Sequence, residues 1–113
     1  MLSWRHELIK IAVYPGSFDP ITNGHLDIIR RGLRVFDKII VLVGFNPKKA
    51  TLFTVDERVT MISSVVADNP RIEVDSYSGL IVDYVNKIEA QAILRGLRAM
   101  SDFEYEFQLA LIN

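Results

Sequence analysis

Residues 38–45, KIIVLVGF, form a nearly unbroken apolar run. A strand with one wet face alternates apolar and polar residues. A continuous run suits a strand covered on both faces, the usual condition of a parallel sheet packed between helices. The neighbouring segments fit that requirement. Residues 10–14 (KIAVY) are a second short, β-branched run, closed by Pro15-Gly16. Residues 71–76 (RIEVDS) alternate as a third strand. Residues 92–94 form a fourth, which ends at Arg95-Gly96. Amphipathic segments lie between them. Leu26, Ile29, Leu33 and Phe36 recur at helical spacing with Arg30, Arg31 and Arg34 among them, in a helix that starts near residues 22–24. Thr54-x-x-Glu57 is a capping box that opens a second helix to about Val66. Asp68-Asn69-Pro70 ends it. Gly79 precedes a third helix over residues 80–87. Ser101-x-x-Glu104 is another capping box, and it predicts a fourth helix with Phe103 and Phe107 on one face. The order β-α-β-α-β-α-β-α predicts an α/β fold, an open parallel sheet with right-handed crossovers and helices on its flanks.

The chain has 113 residues, which suits a single domain over residues 1–113, with residues 1–9 as an extension before the first strand. In that extension Trp4 reads as a packing contact and His6 as a solvated side chain. The opening MLSWRHELIK carries charges where a signal peptide needs an apolar run. No stretch of sequence is long and apolar enough to cross a membrane. The absence of cysteine excludes a disulfide framework, a cysteine nucleophile and a thiolate zinc site, and fits a reducing cytoplasm. There are 13 basic and 14 acidic residues, for a formal net charge of −1. That balance argues against a protein that coats nucleic acid or an acidic membrane, so any basic site must be local.

In an open parallel sheet, ligands bind beyond the carboxyl ends of the strands. The first strand leads into Ser17, Thr22 and His25, the second into Lys48 and Lys49, the fourth into Arg95 and Arg98. Taken singly, the two lysines read as a solvated loop and the two arginines as surface charges. Together they bring cations and donors to one edge, and that convergence favours a phosphate chain as ligand. The loop GSFDPITNGH carries the most information. Gly16 allows close backbone approach or a positive φ, and Asp19-Pro20 sets a turn. Thr22 and His25, three residues apart at a helix start, share a face. A helix N-terminus adds N–H groups and partial positive charge, which suit phosphate. His25 is placed to donate to a bridging oxygen as charge develops on it. A lone histidine is more often structural; its place beside a glycine loop at a helix start favours the ligand role. The chain has neither the G-x-x-x-x-G-K-[ST] loop nor a G-x-G-x-x-G after its first strand.

GSFDP…TNGH, with Thr22-x-Gly24-His25 at its centre, resembles the [Thr/His]-x-Gly-His signature of the nucleotidylyltransferase superfamily. Nicotinate-mononucleotide adenylyltransferases and glycerol-phosphate cytidylyltransferases carry related versions. The second motif, residues 95–106 (RGLRAMSDFEYE), closely resembles that of bacterial phosphopantetheine adenylyltransferases, as does Lys48-Lys49 with Phe53-Thr54-x-x-Glu57-Arg58. The likeness runs over residues 10–113. It implies a Rossmann-like sheet and transfer of the adenylyl group of ATP to 4′-phosphopantetheine, giving dephospho-coenzyme A and pyrophosphate in coenzyme A synthesis. By position it implies Ser17, Lys49, Arg95 and Ile81 (with Leu80) on the phosphopantetheine. On ATP it implies the backbone of Ser17 and Phe18, with Gly96, Leu97, Arg98 and Glu106, and His25 at the transition state. It further implies Mg²⁺, a cytoplasmic homohexamer, and dephospho-coenzyme A or coenzyme A as product or feedback ligand. No carboxylate cluster in the sequence spells out a metal cage.

Three departures stand out. Ser17 keeps the hydroxyl where many relatives carry threonine. Ala50-Thr51 replaces a proline-bearing stretch, so the choice of Lys49 over Lys48 rests on ungapped position. The family's C-terminal segment, with a serine-rich motif that also touches ATP, does not follow Asn113, which implies a truncated chain. Two other readings follow: a nucleotidylyltransferase of the nicotinate-mononucleotide or glycerol-phosphate type, against which RGLRAMSDFEYE argues, and a module that binds without turnover.

Overall fold

The computed structural model describes residues 9–45, 48, 50–96 and 107–111. Seven of its elements alternate along the chain: β1 (Ile11–Gly16), α1 (Asn23–Gly32), β2 (Lys38–Gly44), α2 (Val55–Val65), β3 (Ile72–Tyr77), α3 (Ile81–Ile88) and β4 (Ala92–Gly96). An eighth, β5 (Phe107–Leu111), completes the described part. The strands form one sheet in the order β3-β2-β1-β4-β5. The first four are parallel, and β5 runs antiparallel to β4.

β2 carries the logic of the fold. Its odd residues Ile39, Val41 and Val43 join Ile29 of α1 and Ile62 of α2 in one core cluster. Its even residues Ile40 and Leu42 join Val13, Tyr84 and Val85 in a second. The unbroken apolar run is therefore split by the pleat between two cores: α1 and α2 cover one face, α3 the other. At Gly32 a Cβ would stand 2.6 Å from Ile39 Cδ1 and 2.8 Å from Leu94 Cδ1, so glycine lets the end of α1 settle onto the sheet.

The chain moves outward from β1 through β2 to β3, then returns across the other face to β4. Strand order thus reverses between β1 and β4. That is a topological switch point, where a crevice opens at the strands' carboxyl ends.

Two expectations need correction. The first helix is shorter than its apolar spacing implies. It ends at Gly32 with Leu33 as C-cap. Arg71 donates to the carbonyls of Leu33, Phe36 and Asp37 and holds the turn that follows, so Leu33 and Phe36 reach the core from that turn. The predicted fourth helix does not include Phe107, which opens strand β5 paired to β4 from Gly96↔Phe107 to Ala92↔Leu111. In FQLAL the apolar residues fit both a period of two and an i, i+4 spacing. Pairing with the open edge of β4 decided between them. The rest of that helix, with Ser101, Phe103 and Tyr105, lies outside the described residues.

Candidate active site

The loop from β1 to α1 is built around Phe18. Its backbone takes φ 47, a left-handed conformation that costs free energy for a residue with a side chain. Burial offsets that cost: Phe18 is 2% exposed, its ring edge-on to Tyr14 (centroids 5.2 Å apart) and to His25 (4.9 Å). No glycine in the described residues takes a positive φ. Gly16 therefore serves by leaving space, since a Cβ there would stand 3.0 Å from the Phe18 ring. The Asp19-Pro20 peptide bond is cis. The Asp19 carboxylate accepts from the N–H groups of Leu52 (2.7 Å) and Phe53 (2.9 Å), tying this loop to the entry of α2.

Thr22 caps α1, and His25 is the third residue of the helix. The Thr22 hydroxyl accepts from the His25 N–H (3.4 Å), while the Thr22 N–H donates to His25 Nδ1 (2.9 Å). This is a capping box with histidine in the place usually held by glutamate. It fixes more than the helix end. A ring nitrogen that accepts from a backbone N–H carries no proton, so in the neutral ring the proton sits on Nε2. His25 thereby becomes a donor of set tautomer and orientation. The first turn of α1 carries no acidic side chain, and Asp27, just beyond it, is ion-paired with Arg31 at 3.1 Å.

Two clefts flank this loop. The larger, about 600 Å³, is lined by Gly16, Phe18, Thr22, Gly24, His25 and Gly96, among others. It joins the end of β1, the start of α1 and the end of β4 at the switch point. Tyr14 also lines it. Burial pushes the Tyr14 hydroxyl up to about 12. The smaller cleft, about 270 Å³, lies on the other side of the loop, between Ser17, Gly44, Thr51, Arg58, Tyr77 and Ile81.

The structure thus separates the candidate residues into two groups. Phe18, His25 and Gly96 share the larger cleft. Ser17 and Ile81 share the smaller. Leu80, the N-cap of α3, is 68% exposed and lines neither. Lys48 and Arg95 are exposed, Arg95 beside Gly96 at the end of β4; neither forms a cleft wall. Lys49, Leu97, Arg98 and Glu106 lie outside the described residues. Among the described residues no group of three or more His, Asp or Glu side chains could hold a metal ion. No helix among them is long and apolar enough to cross a membrane.

One residue entered the sequence reading only as part of a likeness, with no role given to it. Arg58 is 3% exposed and spends its donors on backbone carbonyls, including those of Ser17 and Gly44. An arginine on an amphipathic helix gives no sign of this, because the carbonyls it serves come from segments far apart in the chain.

A mostly parallel sheet with a helix N-terminus and an oriented histidine at its switch point is the arrangement of an α/β domain suited to a phosphate-bearing ligand. The chain belongs to the cytidylyltransferase-like family, whose model matches residues 13–113. Within it, the chain is similar to the phosphopantetheine adenylyltransferase of Syntrophus aciditrophicus, with 66% identity over 104 residues, covering 92% of this chain and 63% of the relative. It is similar also to that of Geotalea daltonii, 65% identical over 105 residues, covering 93% of this chain and 65% of the relative. The chain therefore spans a little under two-thirds of the length of these relatives. Among solved structures, its fold resembles a lipopolysaccharide core biosynthesis protein of Thermoplasma volcanium (TM-score 0.66, 19% identity, 83% of this chain and 80% of that one). It also resembles a bifunctional NMN adenylyltransferase/ADP ribose pyrophosphatase of Francisella tularensis (TM-score 0.58, 23% identity, 70% of this chain and 27% of that one). These two likenesses bear on the fold alone.

Proposed function

We propose that this protein transfers the adenylyl group of ATP to 4′-phosphopantetheine, releasing pyrophosphate and forming dephospho-coenzyme A. The observation that carries the reading is the pair of clefts divided by the Ser17–Phe18 loop, with His25 set as an Nε2 donor on the larger side. The names of the relatives supply the two substrates. In this reading ATP occupies the larger cleft, against Phe18, His25 and Gly96, with Leu97, Arg98 and Glu106 as further contacts. Phosphopantetheine occupies the smaller cleft by Ser17 and Ile81, with Lys49 and Arg95 on its phosphate.

The chemistry follows from charge. The acceptor phosphate oxygen is already anionic and needs no general base. It attacks the α-phosphorus of ATP; a new P–O bond forms as the bond to the bridging α–β oxygen breaks, and pyrophosphate leaves with that electron pair. The protein's task is to hold two anions in line and offset the charge that builds on the bridging oxygen. The first-turn N–H groups of α1 and the His25 Nε2–H are suited to that task. No nucleophile–base pair is required. Mg²⁺ held on the ATP phosphates would neutralise part of their charge. Hexameric assembly, a cytoplasmic location and binding of coenzyme A as feedback ligand belong to the same reading and rest on the family likeness.

Pyrophosphate release from MgATP tests the reaction. It should depend on 4′-phosphopantetheine and be absent with nicotinate mononucleotide or glycerol phosphate. Release with either of those instead would move the protein to another branch of the family. Tight calorimetric binding of phosphopantetheine without release would make it a binding module.

A further inference from the structure

The smaller cleft has a buried cation at its edge that the proposed reaction leaves unused. Arg58 Nε donates to the carbonyls of Phe53 (3.1 Å) and Thr54 (3.3 Å). Its Nη1 donates to those of Ser17 (2.7 Å) and, at the limit of bonding distance, Gly44 (3.4 Å). These carbonyls come from three places: the loop after β1, the end of β2 and the entry to α2. Among the described residues no carboxylate pairs with Arg58. From the other side, the Asp19 carboxylate accepts from the N–H groups of Leu52 and Phe53. Phe53 is thus gripped at both backbone polar groups, its N–H by Asp19 and its carbonyl by Arg58. The two side chains bracket the Ser17–Asp19 loop against residues 51–54, which supply Thr51 to the same cleft wall.

We infer that Arg58 and Asp19 are positioning residues for the acceptor side, holding the Ser17 loop and residues 51–54 in the shape that takes the phosphate-bearing acceptor. The assignment of acceptor to this cleft rests on the adenylyl-transfer reading above. A planar guanidinium spans carbonyls in fixed directions. A lysine ammonium keeps the charge but gathers its donors on one nitrogen, so it cannot reproduce the separation of Nε and Nη1 that reaches the three segments. Arg58 lines the smaller cleft and not the larger, so loss of the bracket should weaken the acceptor side selectively.

The test uses the full-length protein with Arg58→Lys and Asp19→Asn, each assayed by varying one substrate at saturation of the other. Arg58→Lys should raise KM for 4′-phosphopantetheine about tenfold, the scale of one lost charge-assisted hydrogen bond, with KM for ATP within about twofold. Asp19→Asn should act in the same direction. Wild-type kinetics in Arg58→Lys would mean that charge suffices and would overturn the assignment. So would equal rises in both KM values accompanied by a general loss of thermal stability. If Arg58→Lys does not fold, Asp19→Asn must show the asymmetry alone, and a symmetric or absent effect overturns the inference. If the wild-type protein releases no pyrophosphate from these substrates, the adenylyl-transfer reading has failed separately. The bracket is then judged by amide hydrogen exchange of the ligand-free protein. Arg58→Lys must speed exchange in residues 17–19 and 51–54 selectively; uniform acceleration, or none, rejects it.

Discussion

Under the proposed reaction, His25 serves structure and chemistry through different atoms. Nδ1 caps the helix by accepting from Thr22, and the same bond assigns the ring proton to Nε2. Replacing it by alanine removes both roles. Under the proposed reaction, His25→Ala should lower kcat by about 10²- to 10³-fold, the range for losing one donor that meets developing charge. Calorimetric affinity for ATP should change little, because the contact strengthens only in the transition state. A change confined to KM would contradict the role. Tyr14, in the same cleft wall, allows a test of burial. Its proton is held more tightly in the folded protein than in the unfolded chain, with the hydroxyl pushed from 10.0 to about 12. The stability this contributes is whole below pH 10 and is lost as pH rises from there toward 12. Tyr84 moves in the same direction, first by burial and then through its hydrogen bond to Asp75. Chemical denaturation between pH 9 and 12 should show a declining stability whose slope is reduced in Tyr14→Phe. An unchanged slope would mean that Tyr14 is solvated.

At the scale of elements, the sequence was legible where a pattern is local. The Thr54-x-x-Glu57 box is present as read, with Thr54 N–H to Glu57 at 2.9 Å and Glu57 N–H to the Thr54 hydroxyl at 3.1 Å. Thr54→Ala should therefore cost about 1 kcal/mol of folding free energy. Urea unfolding measures it, and Thr54→Ser should recover most of the loss. The equivalent box at α1 was not legible, because histidine is not among the residues the pattern names. Only the paired distances identify it. The end of the chain was misread for the opposite reason. FQLAL satisfies two periodicities, and the choice belonged to the vacant edge of β4.

For the molecule as a whole, the two clefts are the central feature, and they make a prediction of their own. If they hold different substrates, each substrate alone should slow amide exchange on its own side of the dividing loop. MgATP should protect the first turn of α1 and the end of β4. Phosphopantetheine should protect Ser17 and residues 77–81. Protection of both regions by either ligand alone would show that the clefts act as one site.

From the sequence alone one can determine the class of fold and locate the candidate loop. A short, β-branched run such as KIIVLVG suits a strand in a sheet covered on both faces, and GSFDPITNGH places a phosphate-friendly loop and histidine after a strand. These are local consequences of hydrophobicity and helix-end electrostatics. The tertiary structure decided what depends on segments meeting. It set the return of β4 beside β1 that opens the switch-point crevice. It divided Ser17 and Ile81 from Phe18, His25 and Gly96. It also drew Arg58 onto carbonyls from three segments. Such convergence leaves no mark on a linear pattern, because each partner's own neighbours say nothing of the distant group that satisfies it.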